Sequence, residues 1–330
     1  MLFRSWRFPV VLWTYYYVCG HWHDGVATQR VAVEAARRRG ERNGFARAMR
    51  GLGGVLAQLG EYAEAQDLLR RAGELFREIG DGVGLARTHV VMSQVHDYQG
   101  QYAESLRVAD EALRIADGDP DDPDMLLVRA AALNNSAWCR IPSGELAPAR
   151  DRCLEAISLC RSLGYTPGEA GTWDTLGYVY QHLGDYAEAI GCFRTALRLG
   201  EASGNRLLLA NTLGHLAETH ALAGDLGAAR AAWQRALDVY DDLRHRDGAK
   251  VRAKIRELDA LSVRPAPGYL TGYRPAYARG GVRRLLRMAP LGPRQHPGLQ
   301  RGRAIHRGEN GDARHVDLKI NVSQMGSRSS

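Results

Sequence analysis

Apolar residues along most of this chain recur every three or four positions, which is the spacing of one face of an α-helix. The stretch WDTLGYVYQHL, residues 173–183, shows this pattern. It returns in AEAIGCFRTALRLGEA, residues 187–202, after a short polar break that contains Gly184. The pattern therefore predicts two α-helices joined by a tight turn.

The helix pair repeats at a nearly constant distance. The phrase LGEYAEA begins at Leu59, and LGDYAEA begins at Leu183. The glycine in this phrase belongs to a series spaced by 40 residues, with one interval of 44. The series is Gly20, Gly60, Gly100, Gly144, Gly184 and Gly224. A fixed period of about 20 to 50 residues is typical of solenoid repeats, so we predict about six units.

The residues around each glycine predict how one helix ends and the next begins. Glycine adopts the left-handed conformation that ends many helices at little cost. Asp185 follows Gly184, and Glu188 lies three residues further on, which is the spacing of a capping box. Small residues five and twelve positions after the glycine predict close helix packing. They are Gly25, Ala32, Ala65, Ala72, Ser105, Ala112, Ala149, Ala156, Ala189, Ala196, Ala229 and Ala236.

Residues 173–197 resemble a tetratricopeptide repeat (TPR). The matching positions are Trp173, Leu176, Gly177, Tyr180, Gly184, Tyr186, Ala189, Phe193 and Ala196. The usual repeat has about 34 residues. The longer period here resembles the C-terminal TPR arrays of actinobacterial SARP/AfsR-like and NB-ARC-type transcriptional regulators. This resemblance covers about residues 6–260 and implies an all-α fold, a right-handed α-solenoid superhelix of helix-turn-helix units.

The chain divides into a repeat region and a basic tail. We predict a TPR solenoid over residues 6–261, with units near 6–45, 46–85, 86–129, 130–169, 170–209 and 210–249 and a capping helix over 248–261. Residues 262–330 hold 13 Lys and Arg but only 3 Asp and Glu, together with six of the 12 prolines. Because sustained helical periodicity is also missing there, we predict a disordered tail. The basic pI belongs to this tail, since the repeat region is slightly acidic.

Two irregular places lie within the predicted array. The aspartate-rich stretch ADGDPDDPD, residues 116–124, holds the four extra residues of the longer interval and predicts a loop. It lacks the glycine and glutamate spacing of an EF-hand, which favours a solvated linker over a calcium site. Pro142 predicts an early end for the first helix of the fourth unit.

No motif in the sequence indicates a catalytic, cofactor or metal site. A P-loop needs Gly-Lys, and none of the three lysines follows a glycine. His21 and His23 have no third metal ligand nearby in the sequence. Five cysteines without a CxxC pair fit a reducing cytoplasm. The apolar stretch FPVVLWTYYYV, residues 8–18, is too short to cross a membrane.

The first helices of a solenoid of helix pairs line a concave groove. Eleven residues occupy the positions that should face it: Arg47, Arg87, Gln94, Tyr98, Asn135, Trp138, Tyr178, His182, Asn211, His215 and Glu218. Aromatic and hydrogen-bonding groups together suit a protein or peptide partner. The alternative, equally compatible with the sequence, is that Trp138 and Tyr178 only pack between helices.

We therefore expect a noncatalytic scaffold that binds a protein or peptide in this groove. The resemblance implies the sensor or regulatory part of a bacterial transcription regulator, or a stand-alone relative. The alternative is a nucleic-acid-associated protein whose Arg-rich tail makes weak, nonspecific contacts with phosphates.

Overall fold

A computed structural model describes residues 12, 15, 16 and 19–263 of the chain. Twelve helices and no strands occur between residues 19 and 263, which confirms the predicted all-α fold. Residues 12, 15, 16 and 19 are helical and precede the first of them. The helices are α1 (Trp22–Arg38), α2 (Arg42–Leu59), α3 (Tyr62–Glu78), α4 (Gly82–Tyr98), α5 (Tyr102–Ala116), α6 (Pro123–Arg140), α7 (Leu146–Ser162), α8 (Thr166–Leu183), α9 (Tyr186–Ser203), α10 (Arg206–Ala223), α11 (Leu226–Asp242) and α12 (Asp247–Val263).

The predicted tail lies outside the described residues from residue 264 onward, as does most of the predicted first helix of the first unit. The predicted capping helix corresponds to α12, and α1 is the second helix of the first unit. Five complete pairs lie between them: α2 with α3, α4 with α5, α6 with α7, α8 with α9, and α10 with α11.

Helices that are neighbours in sequence pack against each other from α1 to α12. Among the described helices, the substantial contacts between alternate helices all join first helices of pairs, such as α4 with α6. The first helices therefore lie closer together than the second helices do. This arrangement places α2, α4, α6, α8 and α10 on the inner side of the array and their partners on the outer side.

The glycines of the series lie in the turn after the first helix of each pair. Gly60, Gly184 and Gly224 are the C-cap residues of their helices, as predicted. All six glycines have a left-handed φ, between 73° and 89°. At Gly184 the backbone N–H donates to the Gln181 carbonyl at 3.1 Å, and the N–H of Asp185 donates to the Tyr180 carbonyl at 3.0 Å. These two bonds satisfy carbonyls at the helix end that would otherwise lack a partner.

A second series of left-handed positions, offset by about 20 residues, was not predicted from the sequence. Gly40, Gly80, Gly164 and Gly204 lie in four of the connections from a second helix to the next first helix, with φ between 63° and 72°. Arg244 occupies the equivalent position between α11 and α12, with φ of 50°. It is the one non-glycine residue with positive φ in the described part of the chain.

The predicted capping box at Asp185 and Glu188 is wrong. Asp185 stands at the N-cap of α9, but its side chain makes no capping hydrogen bond. The backbone N–H of Asp185, which Glu188 would have to bind, already donates to the Tyr180 carbonyl. Side-chain caps occur at other helix starts instead, for example Asp225, which accepts from the Ala228 N–H at 2.9 Å.

The small residues of each unit are buried, which confirms their predicted packing role. Ala189 and Ala196 are both fully buried on α9. Gly177 on α8 faces the same helix, and a Cβ placed on it would lie 2.7 Å from Cε1 of Phe193. Since real Cβ atoms do not approach other carbons so closely, the α8–α9 contact depends on this glycine.

The two irregular places also follow the sequence. Residues 117–122 form the acidic connection between α5 and α6, where the Asp122 side chain accepts from the Asp124 N–H at 2.7 Å. The helix α6 ends at Arg140, four residues before Gly144. In contrast, α8 continues to the residue before Gly184, so the early end predicted from Pro142 is confirmed.

Candidate partner-binding groove

All eleven residues predicted to face a groove lie on the inner helices α2, α4, α6, α8 and α10. Six of them are buried: Tyr98, Asn135, Trp138, Tyr178, His215 and Glu218. The other five are partly or largely exposed: Arg47, Arg87, Gln94, His182 and Asn211. The inner face is therefore closed along much of its length by its own side chains.

An aromatic stack crosses from α6 to α8 and α10. The rings of Trp138 and Tyr178 lie 4.8 Å apart with 12° between their planes. Tyr178 also contacts the rings of His215 at 5.0 Å and His182 at 4.5 Å. Stacking of buried rings stabilises the packing of successive helices. This geometry is the one that the packing alternative predicts for Trp138 and Tyr178.

Hydrogen bonds between successive inner helices run beside the stack. The Asn135 amide donates to Ser93 Oγ at 2.7 Å, which joins α6 to α4. His215 Nδ1 lies 3.1 Å from Asp174 Oδ1, which joins α10 to α8. Gln58 on α2 donates to the Tyr98 hydroxyl at 2.8 Å.

These bonds each cross from one unit to the next, because their partners are about 40 residues apart. Buried polar side chains are costly unless they are paired, so the bonds favour one register between units. The result is a continuous and rigid inner surface.

The end of the array near α2 and α4 has a different character. Arg47 is 45% exposed and lies 3.9 Å from Asp81, and Arg87 is 37% exposed and pairs with Asp124 at 2.7 Å. Between them, Arg50 donates to the Gly84 carbonyl at 3.3 Å. Burial, with the positive charges of Arg87 and Arg47, lowers the pKa of Arg50 to about 10. Arginines therefore line this part of the inner face, and two of them, Arg47 and Arg87, are accessible.

His182 on α8 is half-buried, and its Nε2 has no hydrogen-bond partner among the described residues. Burial lowers the pKa of its imidazole, although Glu218 opposes this. Asn211 on α10 accepts a hydrogen bond from the Tyr240 hydroxyl at 2.6 Å, so it is engaged within its own hairpin. His182 therefore places a buried nitrogen, without a hydrogen-bond partner in the described part of the chain, beside the ring of Tyr178.

Sequence reasoning missed Arg50 and Asp174, which occupy the fifth position of their predicted units. Each contacts the next inner helix: Arg50 contacts α4, and Asp174 contacts α10. A polar residue in an otherwise apolar stretch of a first helix is the signal that identifies them. The eleven predicted residues occupy the second, sixth, ninth and thirteenth positions of their units, a spacing that does not include the fifth.

The described residues contain no group of three or more His, Cys, Asp or Glu side chains placed to hold a metal ion. Burial raises the pKa of the Cys160 thiol to about 11, so this thiol is unreactive at neutral pH. Within residues 19–263, none of the helices is long and apolar enough to cross a membrane.

Comparisons with known protein families and sequences agree with the helical repeat described above. The family model for the tetratricopeptide repeat matches residues 44–117 and 168–242. The regulatory protein AfsR of Streptomyces griseus is 26% identical over 191 residues, which cover 58% of this chain. The matched region is 18% of the length of that relative.

Similar solved structures share the fold. A Rap protein complexed with competence and sporulation factor has a TM-score of 0.56 at 15% identity, covering 78% of this chain and 81% of the other. A signal transduction ATPase (STAND) protein with a tetratricopeptide repeat sensor, from Pyrococcus horikoshii, has a TM-score of 0.54 at 16% identity, covering 72% and 35%. BtubC from P. vanneervenii has a TM-score of 0.52 at 19% identity, covering 76% and 97%.

Proposed function

Given that this chain carries an array of tetratricopeptide repeats, we propose that it is a noncatalytic scaffold that binds a protein or peptide on its inner face. The observation that carries the proposal is the continuous surface formed by α2, α4, α6, α8 and α10. Hydrogen bonds between units fix this surface, and the accessible Arg47 and Arg87 and the half-buried His182 lie on it. A rigid surface loses little entropy on binding, which favours recognition without a covalent step.

The finer proposal is that the array is the sensor or regulatory part of a bacterial transcription regulator. Its support is the similarity to AfsR and to the STAND protein with a repeat sensor. The regulatory role is tested by deleting the gene in its source organism and measuring transcript levels. Unchanged transcripts across growth conditions would argue for a scaffold outside transcription.

A random peptide library displayed on phage tests the inner face directly. Selection on the whole chain should enrich peptides that bind the wild type but not a groove variant. The groove variant carries Arg47→Ala, Arg87→Ala and His182→Ala, three changes at inner positions that are not fully buried. Tyr178 is left intact because its buried ring supports the fold.

The matched control changes the outer face. Arg107→Ala with Arg114→Ala removes two exposed arginines from α5, each paired with a glutamate three residues away. We expect binding of the selected peptides to fall at least tenfold in the groove variant and to stay unchanged in the control, measured by fluorescence anisotropy. Equal binding by wild type and groove variant would exclude the inner face as the site.

The second candidate function, nucleic-acid association, has its support in the charge of residues 262–330. Neutralising phosphates releases counterions, so such binding weakens steeply as salt rises. Anisotropy with a labelled DNA duplex, comparing the full chain with residues 1–261 from 50 to 200 mM salt, separates the two functions. Salt-dependent affinity that disappears with the tail would support this candidate.

A further inference from the structure

The connection between α11 and α12 returns to the first two units of the array. We use the term junction for the contact between two sets of residues. Residues 19–24 and 58–62 form one side, and residues 242–246 form the other. The rings of Trp22 and His245 lie 5.2 Å apart, edge to face. Arg246 donates to the Tyr62 hydroxyl at 3.5 Å, although 184 residues separate them.

The apolar part of the junction is equally close. A Cβ placed on Gly20 would lie 2.7 Å from Cδ2 and 3.6 Å from Cβ of Leu243. Trp22 and Leu243 are both buried, and they belong to a hydrophobic cluster that also contains residues of α8, α10 and α11. The fold therefore joins the two ends of the described array by direct packing.

The junction is only partly sealed. A cleft of about 1010 Å³ remains between its two sides. Asp24 and Glu61 line the cleft from the first two units, and Arg244 and Arg246 line it from the α11–α12 connection. Opposite charges thus face each other across a space open to solvent, where attraction is weak and screened by salt.

Arg244 adds a second observation. Its backbone is left-handed, where four of the equivalent connections of the array use glycine. A left-handed arginine is less stable than glycine at such a position. An observed backbone outlier of this kind points to a role for the side chain, and Arg244 lines the cleft.

The surroundings of His245 in the junction favour its neutral form. Its Nδ1 accepts a hydrogen bond from the Asp247 backbone N–H at 3.3 Å, which a protonated Nδ1 cannot do. The ring is stacked 5.3 Å from Tyr240, and its side chain is 5% exposed. Burial lowers the pKa of His245, as do Arg246 and Lys250, while Asp247 opposes them.

The charged and titratable groups around His245 come from every neighbouring element. Asp247 Oδ2 lies 3.6 Å from Nδ1, and Asp247 Oδ1 is paired with Lys250 Nζ at 2.7 Å. Asp247 is fully buried, and none of its carboxylate oxygens has a well-aligned hydrogen bond, so the close approach to Lys250 is an ion pair without ideal geometry. The other groups at the cleft are His21, His23, Asp24, Glu61, Arg206, Asp242, Arg244 and Arg246.

We propose that the junction is a reversible latch that closes the array end to end, opens when His245 is protonated, and controls partner access to the inner face. The last part of this proposal rests on the proposed function above. The sign follows from the geometry. The closed latch needs neutral His245, so closure is full above the ordinary histidine pKa and is lost as the pH falls through the lower pKa of the closed state.

A disulfide tests closure itself. The Cβ separation of 3.6 Å between positions 20 and 243 suits a disulfide, whose Cβ atoms lie about 3.5 to 4.5 Å apart. We expect Gly20→Cys with Leu243→Cys, in a Cys19→Ser background, to form the crosslink in most molecules under mild oxidation. Each single cysteine variant is the control for the gel shift. Circular dichroism checks the helical fold, because Gly20 has a left-handed φ of 78°.

Spin labels test reversibility without touching the junction. Labels at Ala27→Cys on α1 and Ala249→Cys on α12, both exposed, report the distance between the ends in electron double resonance. We expect one narrow distance at pH 7.5 and a broader, longer distribution at pH 5.0. The control pair Ser158→Cys with Ala249→Cys should not change, and His245→Phe, which keeps a ring but not the proton, should stay narrow at both values.

Three results would overturn the latch: no crosslink beyond the single variants, an unchanged wild-type distance at pH 5.0, or the same broadening in His245→Phe. Access is tested with a peptide from the library selection above. We expect it to associate at least tenfold more slowly with the crosslinked protein than with the reduced protein, by stopped-flow anisotropy. Equal rates would remove the control of access and leave binding on the inner face intact, whereas failure to select any inner-face peptide would leave the crosslink and distance results standing.

Discussion

The buried ion pair between Glu218 and Lys254 gives the sharpest prediction about the fold. Lys254 Nζ lies 2.6 Å from Glu218 Oε1, and the two side chains are 1% and 7% exposed. Glu218 belongs to α10 and Lys254 to α12, so the pair joins the last helix to the inner face. The Lys254 ammonium also lies 5.9 Å from the centre of the Trp233 ring.

The perturbation is Glu218→Gln, which removes one charge with almost no change in volume. At 2.6 Å and an effective dielectric constant of about 20, the attraction lost is about 6 kcal/mol, which the desolvation of both ions largely offsets in the native protein. What remains is a buried, unpaired ammonium, and breaking such a pair from one side costs about 3–5 kcal/mol. We therefore expect a loss of about 3 kcal/mol in the free energy of unfolding.

Urea unfolding followed by circular dichroism measures this loss. Because repeat arrays can unfold in parts, amide hydrogen exchange in α12 provides the local measurement. Adding Lys254→Met removes the unpaired charge, so the double variant should return to within about 1 kcal/mol of the wild type. A single variant within about 1 kcal/mol of wild type, or a double variant less stable than the single, would refute the reasoning.

Three further predictions concern glycine positions and titration. Gly177→Ala should lower the free energy of unfolding by about 1–3 kcal/mol, since its Cβ would meet Phe193 at 2.7 Å. Gly191 is exposed in α9, and a Cβ there would have nothing within 4 Å. Gly191→Ala should therefore raise the free energy of unfolding by about 0.5–1 kcal/mol in the same urea series. Arg244→Gly should raise the urea midpoint by relieving a left-handed backbone, a gain of about 1 kcal/mol; a lower midpoint would count against this strain. Burial lowers the pKa of His182, so its contribution to stability is full above the ordinary histidine pKa and falls as the pH drops through the lower pKa of the folded state. In a stability profile measured from pH 7.5 to 4.5, His182→Gln should therefore reduce the loss of stability at low pH. A profile identical to that of the wild type would contradict this prediction.

Local features of the repeat were predictable because they depend on residues close in sequence. The glycine at the end of each first helix and the small residues that follow it have one conformation and one environment in every unit, so repetition makes them visible. The second glycine series escaped notice because its members, such as Gly40 and Gly164, lie in stretches whose other residues differ from unit to unit. The capping box failed because the preceding turn had already used the backbone N–H of Asp185.

The inner face was harder to predict. All eleven candidates lie on the inner helices, but helical spacing does not show how deeply each one is buried. Trp138 and Tyr178 are covered because successive inner helices approach closely enough for their rings to stack. The contact between Trp22 and His245 depends on small rotations accumulated over five hairpins, which no local pattern specifies.

Amide hydrogen exchange, measured with and without a selected peptide, is the most direct test of binding on the inner face. We expect the peptide to slow exchange in the inner helices α2, α4, α6, α8 and α10 and to leave exchange in the outer helices α3, α5, α7, α9 and α11 unchanged. Protection that falls mainly on the outer helices would contradict it.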